Sequence, residues 1–207
     1  MNKSIVINRE FGSGGREIGH RIADRTGMEF YDSRILQEAA SEKGLPHDLL
    51  ASFDERLSSG PFYSLSLIGG VDLDTASLPY RAHAAISDVI IAAAQRAPAV
   101  FIGRCADRIL AEVGLPFRNV FVYCTDLQRK IDRAVNLDGV APKHAESYIA
   151  KMDKARSRYQ QFFFDTTFGD YRTYDLCLDS AVFGEDGCVD MILTSLDKET
   201  PQTSSAN

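Results

Sequence analysis

Short apolar runs alternate along the chain with longer stretches in which apolar residues recur every three or four positions. Strand patterns fall at 4–8, 29–31, 99–103, 119–124 and 174–179. Ile5, Val6 and Ile7 are consecutive apolar residues, as a strand buried on both faces requires. Helical patterns fall at 16–26, 33–43, 78–97, 106–112, 127–137, 142–162 and 186–196, with Gly27, Gly44, Gly103, Gly114 and Gly139 as stop or turn signals. Strands that alternate with helices in this way predict an α/β domain with a mostly parallel, five-stranded sheet.

The pattern fails in two places. Residues 57–77, "LSSGPFYSLSLIGGVDLDTAS", are rich in Ser and Gly, and their apolar positions keep no period. They predict a mobile segment, because a loop of that length inside a compact domain is often functional, although a flexible connection between helices has the same composition. Residues 198–207 are polar and carry Pro and Ser, which predicts a disordered tail. Residues 1–197 are therefore read as a single domain.

Composition narrows the function. With 44% hydrophobic and 25% charged residues, the chain has no apolar run near the roughly 20 residues that would span a bilayer. The N-terminus has no signal-like apolar segment, so a cytoplasmic protein is expected. Cys105, Cys124, Cys177 and Cys188 are far apart, with no C-x-x-C pair, which suggests buried thiols and neither a zinc site nor a redox motif. The net charge of -6 argues against a nucleic-acid partner. It leaves room for a small anion held by a few local arginines.

The segment "FGSGGREIG" follows the first strand and opens directly onto a helix. Glycines let successive N–H groups point inward at a phosphate, and the helix N-terminus adds partial positive charge. Gly12, Ser13, Gly14, Gly15, Arg16 and Glu17 are the candidate anion cradle. The common loop, G-x-x-x-x-G-K-[ST], places a lysine on the phosphates and a hydroxyl on magnesium. With Gly14 as the last loop glycine, Arg9 stands at the first glycine, Gly15 at the lysine and Arg16 at the hydroxyl. A cation in a first helical turn costs about 0.3–1 kcal/mol, which a bound anion would offset. Arginine also grips phosphate with two parallel donors, so Arg16, with Arg9, is the candidate replacement for the lysine. Local pairing of Arg9 and Arg16 with Glu10 and Glu17 is the alternative. A metal would need Ser13, Glu17 or an acid from elsewhere, and the sequence assigns no ligand; Glu17 serves equally as a partner of the helix dipole.

The second and third strands run into "FYDSRIL" and "VFIGRCADRIL". In open α/β sheets, ligands bind beyond the carboxyl ends of strands, so Asp32 and Arg104 both point at that crevice. Asp32 reads equally as a helix N-cap, and Arg104 as a partner of Asp107. Further on, "YIAKMDKARSRYQQFF" carries Lys151, Lys154, Arg156 and Arg158. Arg156 and Arg158 are two apart, so both reach one ligand only if the helix ends or bends there. A solvated face has the same charge run.

From Ile5 to about Gly187 the chain resembles the cytidylate kinase-like proteins, relatives of bacterial cytidylate kinase within the P-loop nucleoside monophosphate kinases. The family's "YLDTGAMYR"-like stretch is partly matched by Asp32 and Ser33, and its "GRD" by Gly103 and Arg104, with Cys105 in place of the acid. Its "DSxR" is similar to "DKAR", giving Asp153 and Arg156, and its "IDTS" to "CLDS", giving Asp179 and Ser180. Arg129 and Arg133 are similar to the arginines of its "RAxRR", or are surface partners of Asp126 and Asp132. A lysine-less "GSGGREIG" loop recurs in this subgroup.

The resemblance implies a P-loop NTPase-like three-layer fold with a helical insertion or lid, the acceptor side at 57–77 and the lid-like region at 140–173. It implies transfer of the γ-phosphoryl group of ATP, with Mg2+, to a nucleoside monophosphate, CMP or dCMP first. Arg16, Arg104, Arg156 and Arg158 would then be catalytic, the glycine loop would hold ATP, and Asp32, Ser33, Arg104 and Asp153 would hold the acceptor. The implied partners are small-molecule nucleotides, with neither nucleic acid nor membrane. A nucleotide-binding sensor without turnover and a kinase of another small metabolite are the alternatives.

Overall fold

The computed structural model describes residues 3–42 and 73–196. The elements run β1 Ser4–Arg9, α1 Gly15–Thr26, β2 Glu29–Tyr31, α2 Ser33–Glu42, α3 Leu73–Arg96, β3 Ala99–Ile102, α4 Ala106–Glu112, β4 Phe117–Tyr123, α5 Leu127–Asp138, α6 Ala145–Phe164, β5 Leu176–Asp179 and α7 Ser180–Leu196. A short 3-10 turn, Pro142–His144, leads into α6, and another, Tyr171–Thr173, precedes β5.

The five strands lie in the order β2-β3-β1-β4-β5 and every pairing is parallel. Strand β1 is central, with Ile7 opposite Ile102 on one side and Val120 on the other. Its alternating side chains build two cores. Ile5 and Ile7 join Ile18 and Ile22 of α1 and Val189 and Ile192 of α7, whereas Val6 and Phe101 join Leu36, Ile86, Ile90, Ile109 and Leu110 of α2, α3 and α4. The apolar run Ile5–Ile7 is thus buried on both faces, at the centre of a three-layer α/β fold. Helices α5 and α6 add a small core of Ala134, Ala145 and Ile149, against which Phe11 of the glycine loop packs.

Two boundaries differ most from the sequence pattern. Helix α3 begins at Leu73, so residues 73–77 are helical and Pro79 lies inside the helix rather than near its start. The rest of the 57–77 segment and the 198–207 tail lie outside the described residues. Helix α7 begins at Ser180, six residues before the predicted start, and is broken at Gly184 (φ 65°, ψ 175°). Helix α6, by contrast, runs unbroken through Arg156 and Arg158. Among the described residues no helix is long and apolar enough to cross a membrane. All four cysteines are free, and burial pushes the Cys105 thiol up.

His83 of α3 lies within 3.0 Å of the Tyr159 hydroxyl and stacks on Phe163. Burial, with the Arg104 charge second, lowers its pKa to about 4. The folded protein therefore holds this ring neutral while the unfolded chain protonates it near pH 6.5. The unfolded state then binds more protons, so this contribution to stability is intact above pH 6.5 and is lost as pH falls toward 4. Urea unfolding of wild type and His83→Gln should show the wild type losing more stability over that window; parallel pH profiles would contradict a half-buried neutral ring.

Candidate functional site

Strand β1 ends at Arg9, and the chain turns through residues 10–14 into α1 at the carboxyl edge of the sheet. Gly12 and Gly14 have φ of 75° and 79°, which side chains rarely adopt. A Cβ on Gly12 would stand 3.0 Å from Cα and Cβ of Lys130, and one on Gly14 would stand 3.1 Å from Glu185 Oε1. The loop is therefore enclosed by α5 and by the start of α7. Ser13 closes it from within, its Oγ donating to the Glu10 carbonyl at 2.8 Å. Gly14 is the N-cap of α1 and makes no side-chain capping bond. The first N–H groups of α1, those of Gly15, Arg16 and Glu17, thus have no side-chain cap, a cradle suited to phosphate oxygens.

Arg16 and Asp32 meet: Arg16 Nε donates to Asp32 Oδ2 at 2.7 Å, with the arginine side chain 57% exposed and the aspartate 6%. Asp32 also accepts from the N–H groups of Arg34 and Ile35 at 3.0 Å, so it is both helix cap and arginine anchor. Burial alone would raise its carboxyl, but the Ile35 N–H, Arg16 and the Arg34 N–H outweigh that and hold it below the usual carboxylate range. Ser33 follows as the first residue of α2.

The neighbour pairs allowed by the sequence do not form as expected. Glu17 pairs with Arg133 at 2.7 Å and Glu10 with Lys130 at 3.1 Å. Arg9 lies against Gly103, where a Cβ would collide with its Nη1. Gly103, Arg104 and Cys105 then follow with φ of 70°, 57° and 53°. Two consecutive non-glycine residues in the left-handed region are strained, as turns at ligand sites often are. This turn carries the Arg104 guanidinium to 5.6 Å from the Tyr159 ring centroid. Asp107, the local partner weighed for Arg104, accepts from Asn8 and Asn119 and pairs with Arg108.

On the β4 side, Asp153 Oδ1 accepts from the Phe11 N–H at 2.6 Å and from Arg156 Nη1 at 3.2 Å, and Oδ2 is 3.6 Å from Lys130 Nζ. Arg156 Nη1 also donates to the Arg9 carbonyl at 3.0 Å. Burial raises the Asp153 carboxyl and pulls the Arg156 pKa down. Both residues grip the backbone of the glycine loop, whereas the resemblance implies acceptor and lid roles. Arg158 is about 200° around the same unbroken helix, so it does not share Arg156's direction. The bend that would bring the two together is missing.

Arg129 and Arg133 pair with neither Asp126 nor Asp132. Both reach Glu185, at 2.6 and 3.3 Å, and Arg129 also donates to the Ser180 carbonyl. Asp126 instead caps α5, and Asp132 accepts from Gln128. Sequence reasoning missed Lys130, Glu10 and Glu185 as members of this site. Of the acids suggested for a metal, Glu17 is paired with Arg133, and no group of three or more His, Cys, Asp or Glu side chains that could hold a metal ion occurs among the described residues.

Comparison with known proteins bears on the family and the fold. The model of the Cytidylate kinase-like family matches residues 4–182. An uncharacterized protein from Eubacterium ventriosum ATCC 27560 is similar over 95% of this chain and 99% of its own, at 25% identity and a TM-score of 0.71. A sugar kinase from Janibacter sp. HTCC2649 matches over 95% of each chain at 16% identity and a TM-score of 0.53. Shikimate kinase from Acinetobacter baumannii, in complex with shikimate, matches over 95% of this chain and 96% of its own at 14% identity and a TM-score of 0.50. The last two share the fold. No curated protein matches.

Proposed function

This chain belongs to the cytidylate kinase-like family, and from that premise we propose that it transfers the γ-phosphoryl group of ATP to a nucleoside monophosphate, CMP or dCMP first. Kinase-type phosphoryl transfer follows from the membership; the acceptor and the residue roles are the proposal. The observation that carries it is the uncapped N-terminus of α1, entered through two left-handed glycines, with Arg16 and Arg133 beside it.

ATP with Mg2+ supplies the phosphoryl group and part of the charge that offsets it. The N–H groups of the loop and of the first turn of α1 bind phosphate oxygens. Arg16, anchored through Nε by Asp32, has its two terminal nitrogens left to offer them and takes the role of the absent lysine. Arg104, on the strained turn after β3, holds the acceptor phosphate. Asp153, Lys130 and Arg156 fix the loop from behind and leave the transfer to cations in front of it. Phosphoryl transfer needs chiefly this: positioning, and donors aimed where charge gathers.

Phosphorus NMR of the protein with ATP, Mg2+ and each common nucleoside monophosphate tests the proposal. ADP should appear together with a new diphosphate signal for a cytosine acceptor. Absence of product from every nucleoside monophosphate would refute the acceptor class.

A further inference from the structure

Strand β5 ends at Asp179, and the chain makes one helical turn before Gly184 leaves helical conformation. That break turns Glu185 back over the glycine loop. Its Oε1 stands 3.1 Å from the Cβ position of Gly14, the N-cap at the positive end of α1. The same oxygen accepts from Arg129 Nη2 at 2.6 Å and from Arg133 Nη1 at 3.3 Å. A carboxylate therefore occupies the point where two guanidinium groups and a helix N-terminus converge, an arrangement that attracts phosphate. Burial would raise the Glu185 carboxyl, but the hydrogen bond from Arg129 and the charges of both arginines hold it below the usual range, so it is ionised at neutral pH.

We propose that Glu185 is an internal stand-in for a ligand phosphate: without ligand it keeps Arg129 and Arg133 poised over the loop, and a polyphosphate must displace it to take them. The inference rests on the phosphate-binding reading of the loop given above. Two anions cannot share those donors at close range without repulsion, so ligand binding and the Glu185 pairing exclude each other. Gly184 makes the exchange feasible, because the helix is interrupted immediately before Glu185 and a Cβ at 184 would meet nothing within 4 Å. The carboxylate also prevents the arginines from repelling each other in the empty site.

The sign of one substitution separates this role from a purely aligning one. Glu185→Gln keeps shape and hydrogen-bonding capacity and removes the charge. If the displaced form of the wild type is populated about one time in ten, the apparent affinity is reduced about tenfold, and Glu185→Gln regains it. Isothermal titration with inorganic pyrophosphate, without and with Mg2+, should therefore show about tenfold tighter binding to Glu185→Gln. Glu185→Asp keeps the charge but shortens the reach, and should fall between the two. Asp190→Asn makes the same charge change on α7, where Asp190 pairs with Arg25, and should leave affinity unchanged. Equal or weaker binding to Glu185→Gln overturns the stand-in and leaves the loop reading intact. No binding of pyrophosphate to the wild type overturns both.

Discussion

Arg16→Ala lowers kcat/KM with ATP and the nucleoside monophosphate by about 10²- to 10³-fold, the loss that follows removal of one preorganised donor to developing charge. Stability should change by no more than about 0.5 kcal/mol, the ordinary range for a surface substitution. The reason lies in how the residue is held. Its side chain is more than half exposed, so the ion pair with Asp32 adds little to stability. Asp32 keeps its two backbone donors when the guanidinium is gone. Among the described residues, Nε is the one nitrogen of Arg16 in a hydrogen bond, so the terminal pair is left for an anion. Arg16→Lys restores the charge without the planar fork and should recover only part of the rate. Steady-state kinetics beside thermal melts separate the two effects. Full turnover in Arg16→Ala would show that the loop lysine is replaced by another cation, with Arg133 next in line because it lies beside Gly14 and Glu17.

What could be read from the sequence was what depends on near neighbours. The strand Ile5–Ile7, the glycine loop and the Asp32 cap are local patterns, and the structure places each where the pattern puts it. The pairing of Arg16 with Asp32 was not read from the sequence, although the glycine loop and Asp32 both follow the carboxyl ends of strands in one sheet. The nearest acids were the misleading ones. Residues adjacent on a helix point in different directions, so Arg16 does not meet Glu17, and Glu17 meets Arg133 on another helix. Arg156 had the look of a solvated or lid cation, yet it donates to the carbonyl of Arg9, 147 positions earlier. Lys130 and Glu185 gave no signal at all. Their partners are fixed by how α5 and α7 pack around the loop, and no spacing within either helix encodes that. The early start of α3 was hidden by Pro79, which usually marks a helix beginning and here lies inside one.

The loop's support from behind leads to the second large expected effect. Asp153→Ala lowers stability by about 3–5 kcal/mol, the cost of breaking a buried ion pair from one side. At roughly 2–4 °C per kcal/mol for a chain of this size, the melting temperature falls by about 6–20 °C. Phe11 N–H and Arg156 Nη1 each lose an acceptor, and Lys130 Nζ, 3.6 Å away, loses one of its two carboxylate partners. Both cations are largely buried, with side chains 22% and 10% exposed, so water cannot fully replace the carboxylate. Glu10 still holds Lys130, and the Arg9 carbonyl still holds Arg156, which keeps the loss within that range. Asp153→Asn retains an acceptor for the Phe11 N–H and should lose less than the alanine variant. The same contacts fix the backbone on both sides of Glu10, so loop geometry should loosen with them. Pyrophosphate titration well below the new melting temperature reads that out, and Asp153→Ala should bind more weakly even while fully folded. Unchanged pyrophosphate affinity with lowered stability would assign Asp153 to the scaffold alone. A melting temperature within about 2 °C of wild type would refute the clamp itself, because support of the loop from Asp153 requires the groups it holds to depend on it.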